Sequence, residues 1–335
     1  LQAPESFNVP DKLVEYCPAP GQFTNDDRLH YNSFARRISL GLAGWDDCIS
    51  LGDFGGYAVY QYDSPIFNDS KNPYGVDFIV YGNNFGSSCE PGQVWVSEDG
   101  EKWYALAGSM HYETSTKWAY TKNYADLTEY YKNKFLSNGD TSVAFSGICI
   151  AKSGENGVSS TSPMPLFGYA DSKKDTSTLY GGVELAKGAV YNPYKEDGDD
   201  TIGEAFDLSW AVDEDGKPVN LESISYIKVQ TATDIFDTPK GECSTELSTI
   251  IKAVPSEKET GVTAELKSLK INGVDILKET AKEVTAATHT KYYELELSDS
   301  SIAALNVTAQ GSEDDNICIN NERFKGNAKY QSILN

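Results

Sequence analysis

The chain has 335 residues, more than one ordinary hydrophobic core organises, so two domains are expected. Its 39% hydrophobic and 12% aromatic content is that of a folding chain and not of a disordered one. Its 28 basic against 50 acidic residues leave a formal charge of -22, which argues against nucleic acid or an anionic membrane as partner and suits divalent cations, neutral or cationic ligands, and solubility outside the cell.

The sequence starts at Leu1 without a charged segment leading into an apolar one, and no run approaches the ~18 apolar residues of a membrane span. The numbering is therefore expected to be that of a mature or trimmed chain. From there the pattern is one of short apolar or alternating runs parted by turn signals. Tyr57-Ala58-Val59-Tyr60-Gln61-Tyr62, Asp77-Phe78-Ile79-Val80-Tyr81 and Gln93-Val94-Trp95-Val96-Ser97 read as sandwich strands. Asp99-Gly100, between a strand and the pair Trp103-Tyr104, marks a hairpin, because Asp and Gly tolerate positive φ, and Asp215-Gly216 marks a second. Gly52, Gly55 and Gly56 are followed by a strand pattern and not a helix, which makes them a turn and not a phosphate-binding loop.

Residues 110–195 are irregular, rich in Tyr, Ser, Asn, Gly and Lys, with a short helix expected over 125–135. Strands resume at Ala205-Phe206-Asp207-Leu208-Ser209-Trp210 and Ile224-Ser225-Tyr226-Ile227-Lys228-Val229, so the irregular block is an insertion in one domain, where ligand recognition is expected. A charged stretch with Pro255 and Gly261 divides a domain at 1–254 from one at 255–335. In the second, Leu266 to Gly273, Tyr292 to Leu297, Leu305 to Ala309 and Asn316 to Asn320 alternate as strands of a small sandwich, with a weak helical pattern over 281–287. The predicted fold class is all-β: a large sandwich with long loops, then a small one.

The six cysteines, Cys17, Cys48, Cys89, Cys149, Cys243 and Cys318, show no thiolate metal spacing, and their even number leaves disulfides open.

Several motifs occur in order over residues 13–250. They include Tyr16-Cys17-Pro18-Ala19-Pro20-Gly21, Ile49-Ser50-Leu51-Gly52-Asp53-Phe54-Gly55-Gly56, Asp77-Phe78-Ile79-Val80-Tyr81-Gly82-Asn83-Asn84-Phe85 and Glu90-Pro91-Gly92-Gln93-Val94-Trp95. Gly168-Tyr169-Ala170-Asp171 and Phe206-Asp207-Leu208-Ser209-Trp210 complete the set. In these the chain resembles a family of uncharacterised gut-bacterial cell-surface proteins, with looser likeness to jelly-roll, galactose-binding-like domains. The resemblance implies a jelly-roll sandwich at the cell surface, and through members near vitamin B12 uptake proteins it raises corrinoid capture. The segment from Leu266 to Asn320 is similar to cadherin-like sandwich modules.

Asp69, Asp77, Asn83, Asn84 and Glu90, with Asn68, offer the hard oxygens that Ca²⁺ takes, although Asn and Asp equally make turns. Trp45, Tyr74, Trp118, Tyr130 and Tyr169 are the expected ligand-binding aromatics, in loop-like sequence with Tyr120, Tyr124 and Tyr131; Trp95, Trp103 and Trp210 are expected in the core. His30, His111 and His289 lie in distant segments without a nucleophile motif, so no catalytic residue is assigned. The sequence thus points to a non-enzymatic extracellular surface protein binding a glycan or other neutral small ligand, with Ca²⁺ as a structural aid. An adhesion or architectural protein with a macromolecular partner is the alternative, and a glycoside hydrolase, needing two facing carboxylates, the third reading.

Overall fold

A computed structural model describes residues 9–21, 24, 48–69, 71–72, 75–82, 89–124, 144–153, 163, 165–172, 203–237, 241–253, 265–279, 292–293, 295–296, 301–313 and 315–333. The helices expected over 125–135 and 281–287 lie outside these residues. The protein is all-β, and among the described residues no helix is long and apolar enough to cross a membrane.

The larger sheet has seven strands. Along it run Lys12–Cys17, Tyr57–Phe67, Ser223–Thr231, Gly92–Ser97, Tyr104–Leu106 and Ala211–Val212, and Tyr169–Ala170 adds to Gly92–Ser97. Every pairing is antiparallel. A second sheet is made by Gly203–Phe206, Phe78–Tyr81 and Thr249–Lys252. Period-2 alternation sends Ala58, Tyr60 and Tyr62 from the first sheet to meet Phe78, Val80, Phe206 and Ile250 from the second, all buried in one apolar cluster. Phe78 and Phe206 are register partners and stack with ring centroids 5.3 Å apart. The second sheet is covered on its other face as well, where Val76, Ile79, Tyr81 and Ala205 cluster, which explains why all four residues of Phe78–Tyr81 are buried.

Both expected hairpins form. Asp99 Oδ1 accepts from the backbone N–H groups of Glu101 (2.8 Å) and Lys102 (3.0 Å), holding the turn between Gly92–Ser97 and Tyr104–Leu106. Asp213 Oδ1 does the same for Asp215 (3.0 Å) and Lys217 (2.9 Å), so these aspartates close a turn. The glycines at 52–56 form a turn into Tyr57–Phe67, with the Gly56 N–H donating to the Asp53 carbonyl (3.2 Å). None of the six cysteines forms a disulfide.

Part of the irregular block is a hairpin of Lys117–Asn123 and Ala144–Cys149. It is fixed to the sandwich by Lys122, whose ammonium donates to Asp234 Oδ1 (2.7 Å) and to Asp53, all three side chains being largely buried.

Beyond residue 265 the strand pairings among the described residues are internal: Val274–Asp275, Ser268–Ile271, Ala304–Gln310 and Asn327–Ile333 form one sheet, and Asn316–Ile319 pairs with Glu322–Lys325. This unit touches the large one through Asn321. Its Oδ1 accepts from the Ser109 hydroxyl (2.7 Å) and the Leu166 N–H (3.0 Å), and its N–H donates to Glu113 Oε1 (3.0 Å).

Candidate functional site: an aromatic cleft and an acidic cluster

The outward face of the seven-stranded sheet carries a cleft of about 280 Å³. Strand register builds its floor. Glu15 is opposite Val59, Val59 opposite Lys228 and Lys228 opposite Trp95, so these four share one row and one face; Tyr57 and Gln230 pair in the next row. Trp103, from the end of the Asp99-Gly100 hairpin, rises beside them. At that turn Gly100 has φ +82 and lies against the Tyr226 ring, a conformation that a side chain would strain.

Lys228 is the centre of the cleft. Its Nζ is 4.9 Å from the ring centroids of both Trp95 and Trp103 and 5.9 Å from that of Tyr57. Burial pulls its pKa down to about 8, against an opposing pull from Glu15, so it remains mostly protonated at neutral pH. The Tyr57 hydroxyl donates to Glu15 Oε1 (2.8 Å), and Gln230 Nε2 donates to the carbonyls of Gly55 (2.9 Å) and Ser146 (3.2 Å). The cleft therefore offers ring faces, a cation and a carboxylate within one small volume. A larger, open depression of about 680 Å³ on the small unit, around Asn272, Ile302, Asn306 and Thr308, is lined by neither a charged group nor an aromatic ring.

A second constellation lies beside the short strands. One carboxylate oxygen each from Glu90, Asp171 and Glu246 falls within 4.8 Å of the others. Asp171 is pinned from two sides: its Oδ2 accepts from the Glu246 N–H (2.9 Å), and its carbonyl accepts from the Glu90 N–H (3.0 Å). It holds a left-handed backbone at φ 51, which Asp tolerates better than most residues. Gly82 must lack a side chain, because a Cβ there would fall 2.3 Å from Asp171 Oδ1. Glu246 is buried with its Oε1 unpartnered, and burial, then Glu90 and Asp171, push its pKa well above the carboxylate range. A cation held among the three carboxylates would offset the burial and repulsion that act against the charge of Glu246. Oxygens on opposite sides of a Ca²⁺ ion at ~2.4 Å lie ~4.8 Å apart, so the set fits that ion.

Of the expected carboxylate ligands, all among the described residues, only Glu90 joins this cluster. Asp69 Oδ1 accepts from the Lys71 N–H (2.9 Å) and serves a turn. Asp77 is buried apart, accepting from the Leu208 N–H (2.7 Å) and from Asn72 Nδ2 (2.7 Å). Asn83 and Asn84 lie outside the described residues, as do Trp45, Tyr74, Tyr130 and Tyr131. Tyr169, expected to face a ligand, is fully buried in the core, because its short strand lies on the large sheet. Trp118 packs edge-on against His111 at 4.3 Å and beneath Gly216, a structural placement. Tyr124 is likewise buried, its hydroxyl donating to the Phe54 carbonyl (2.9 Å), and that of Tyr120 donates to Asp234. Trp103, expected in the core, instead lines the cleft, whereas Trp95, half-buried, packs against the buried cluster of Ile148, Tyr169 and Val212 as expected. His111 is enclosed by Trp118 and Tyr112, and burial lowers its pKa to about 4, which keeps it neutral.

Asp77 gives the fold a pH dependence. Burial, opposed by the Leu208 and Asn72 hydrogen bonds, raises its pKa from 3.8 to about 7. The folded state thus holds a proton that the unfolded chain has lost between these values. Stability from this group is full below about pH 4 and is lost as pH rises to about 7, by ~4 kcal/mol at most. Urea unfolding of Asp77→Asn should show a flatter fall in stability from pH 5 to 8 than the unsubstituted protein; equal slopes would refute the assignment.

The chain matches no family model and none of the curated proteins, which leaves the geometry of the cleft and of the acidic cluster as the ground for a function.

Proposed function

We propose that the chain is a non-enzymatic extracellular binding protein whose large sandwich holds a small polyhydroxylated ligand, of the glycan class, in the cleft around Lys228. The observation that carries the reading is the grouping of Tyr57, Trp103 and Tyr226 with polar Glu15, Lys228 and Gln230 in one cleft on a rigid sheet. Apolar ring faces with a few fixed polar groups suit a sugar, which presents C–H faces and hydroxyl edges. At about 280 Å³ the cleft is at the small end of ligand sites and suits a single ring. Among the described residues of its lining Glu15 is the one carboxylate, whereas glycoside hydrolysis uses a facing pair. A surface location rests on the family resemblance and agrees with the acidic charge.

Calcium at Glu90, Asp171 and Glu246 belongs to the same reading, as a clamp joining three chain segments. Thermal unfolding with EDTA, with added Ca²⁺, and against a panel of glycans and corrinoids tests both parts. A ligand in hundredfold excess over its Kd should raise the midpoint by ~5 °C. Trp103→Ala should remove the glycan response and leave that to Ca²⁺, while Glu246→Gln should remove only the Ca²⁺ response. A glycan shift that survives Trp103→Ala would place the site elsewhere, and the absence of any organic shift would favour a macromolecular partner.

A further inference from the structure

We infer that the ligand of the cleft is an acidic sugar carrying one carboxylate, of the hexuronate type, and that Lys228 is the residue that reads it. The inference rests on the cleft being the binding site proposed above.

Two partly buried lysines of the large sandwich, Lys122 and Lys228, make a contrast. Lys122 is met by Asp53 and Asp234. The Lys228 ammonium, in a chain with 50 acidic residues, has neither an ion pair nor a hydrogen bond among the described residues, only ring faces around it. Aromatic faces attract its ammonium without neutralising it, and they offer no lone pair to its three N–H donors. Burial already works against its charge. A half-buried cation of this kind, opening on a cavity, is completed by an anionic acceptor arriving with the ligand.

The surroundings limit what that ligand is. Glu15 lines the same cleft, with Oε1 engaged by Tyr57, so its carboxylate accepts from ligand hydroxyls and repels a second negative charge. The formal charge of -22 also penalises an incoming dianion more than a monoanion. One carboxylate on the Lys228 side, hydroxyls on the Glu15 side and a ring between Trp103 and Tyr57 describe a hexuronate.

Isothermal titration of the whole protein at pH 7 with D-glucuronate and D-galacturonate, against D-glucose and D-galactose, tests this directly. The uronates should bind at least ~10-fold more tightly than the matching neutral sugars, and the preference should shrink as pH rises above about 8 and the amine loses its proton. Lys228→Met should bring the ratio close to one with the thermal midpoint retained, and Lys228→Arg should keep the preference. Neutral sugars binding as well as uronates would overturn the inference and leave the cleft as a sugar site. If no sugar of either kind binds, both the inference and the glycan reading fall. A uronate preference untouched by Lys228→Met would overturn the role given to that residue.

Discussion

Lys122→Met should destabilise the protein by about 3–5 kcal/mol at pH 7, because it leaves Asp53 and Asp234 facing each other in the interior without their cation. The ammonium donates to both carboxylates and lies 5.0 Å from the centroid of the Tyr124 ring. Burial alone would lower its pKa, yet the two carboxylates hold it above the ordinary lysine value. Methionine keeps most of the packing and removes the charge, so the loss reports electrostatics and not volume. Adding Asp53→Asn and Asp234→Asn should recover much of the loss, since a neutral cluster no longer requires a cation. Urea unfolding measures both steps. A loss under ~1 kcal/mol for the single variant would mean that water screens the group as it does a surface pair.

Phe206→Ala is expected to cost about 3–5 kcal/mol, comparable to much of the 5–15 kcal/mol by which domains are usually stable. The side chain is fully buried, stacks on Phe78 across the register and lies 6.3 Å from the Trp210 ring, so truncation removes contacts on several sides. The lost contacts join the second sheet to the core and have no solvent to replace them. Phe206→Leu refills most of the space and should cost roughly a third as much. A shift in the urea midpoint at constant slope is the expected signature; an alanine variant within ~1 kcal/mol of the parent would mean that the core closes over the gap.

Local chemistry was the legible part of this fold. Asp99-Gly100 and Asp215-Gly216 announce hairpins because a turn depends on the residues that make it. The strands containing Tyr60, Val80 and Val229 are visible through alternation. Alternation tells which residues share a face but not which face is covered, and this is why Trp103 reads as core and lines the cleft. The cleft itself could not be read, since Glu15, Tyr57, Trp103 and Lys228 meet only through pairings between distant strands. The acidic cluster was half visible. Glu90 belonged to the expected cation ligands and Asp171 closes the Gly-Tyr-Ala-Asp motif, but nothing local ties either to Glu246. Asp69 and Asp77 show the converse: oxygen-rich side chains in a loop are as readily spent on backbone N–H groups as on an ion.

The order of strands in the large sheet also governs how the molecule is made. Ser223–Thr231 lies between Tyr57–Phe67 and Gly92–Ser97, although both neighbours precede it by more than a hundred residues. At ~5–20 residues per second, an emerging chain holds those two strands for on the order of ten seconds before the one that joins them exists. Until then their facing edges are unpaired, and each is a template for the wrong partner. The sheet cannot close piecemeal from its N-terminal half, so a fragment ending before residue 223 should fail to fold and should aggregate, while the longer chain folds late, slowly and as one unit.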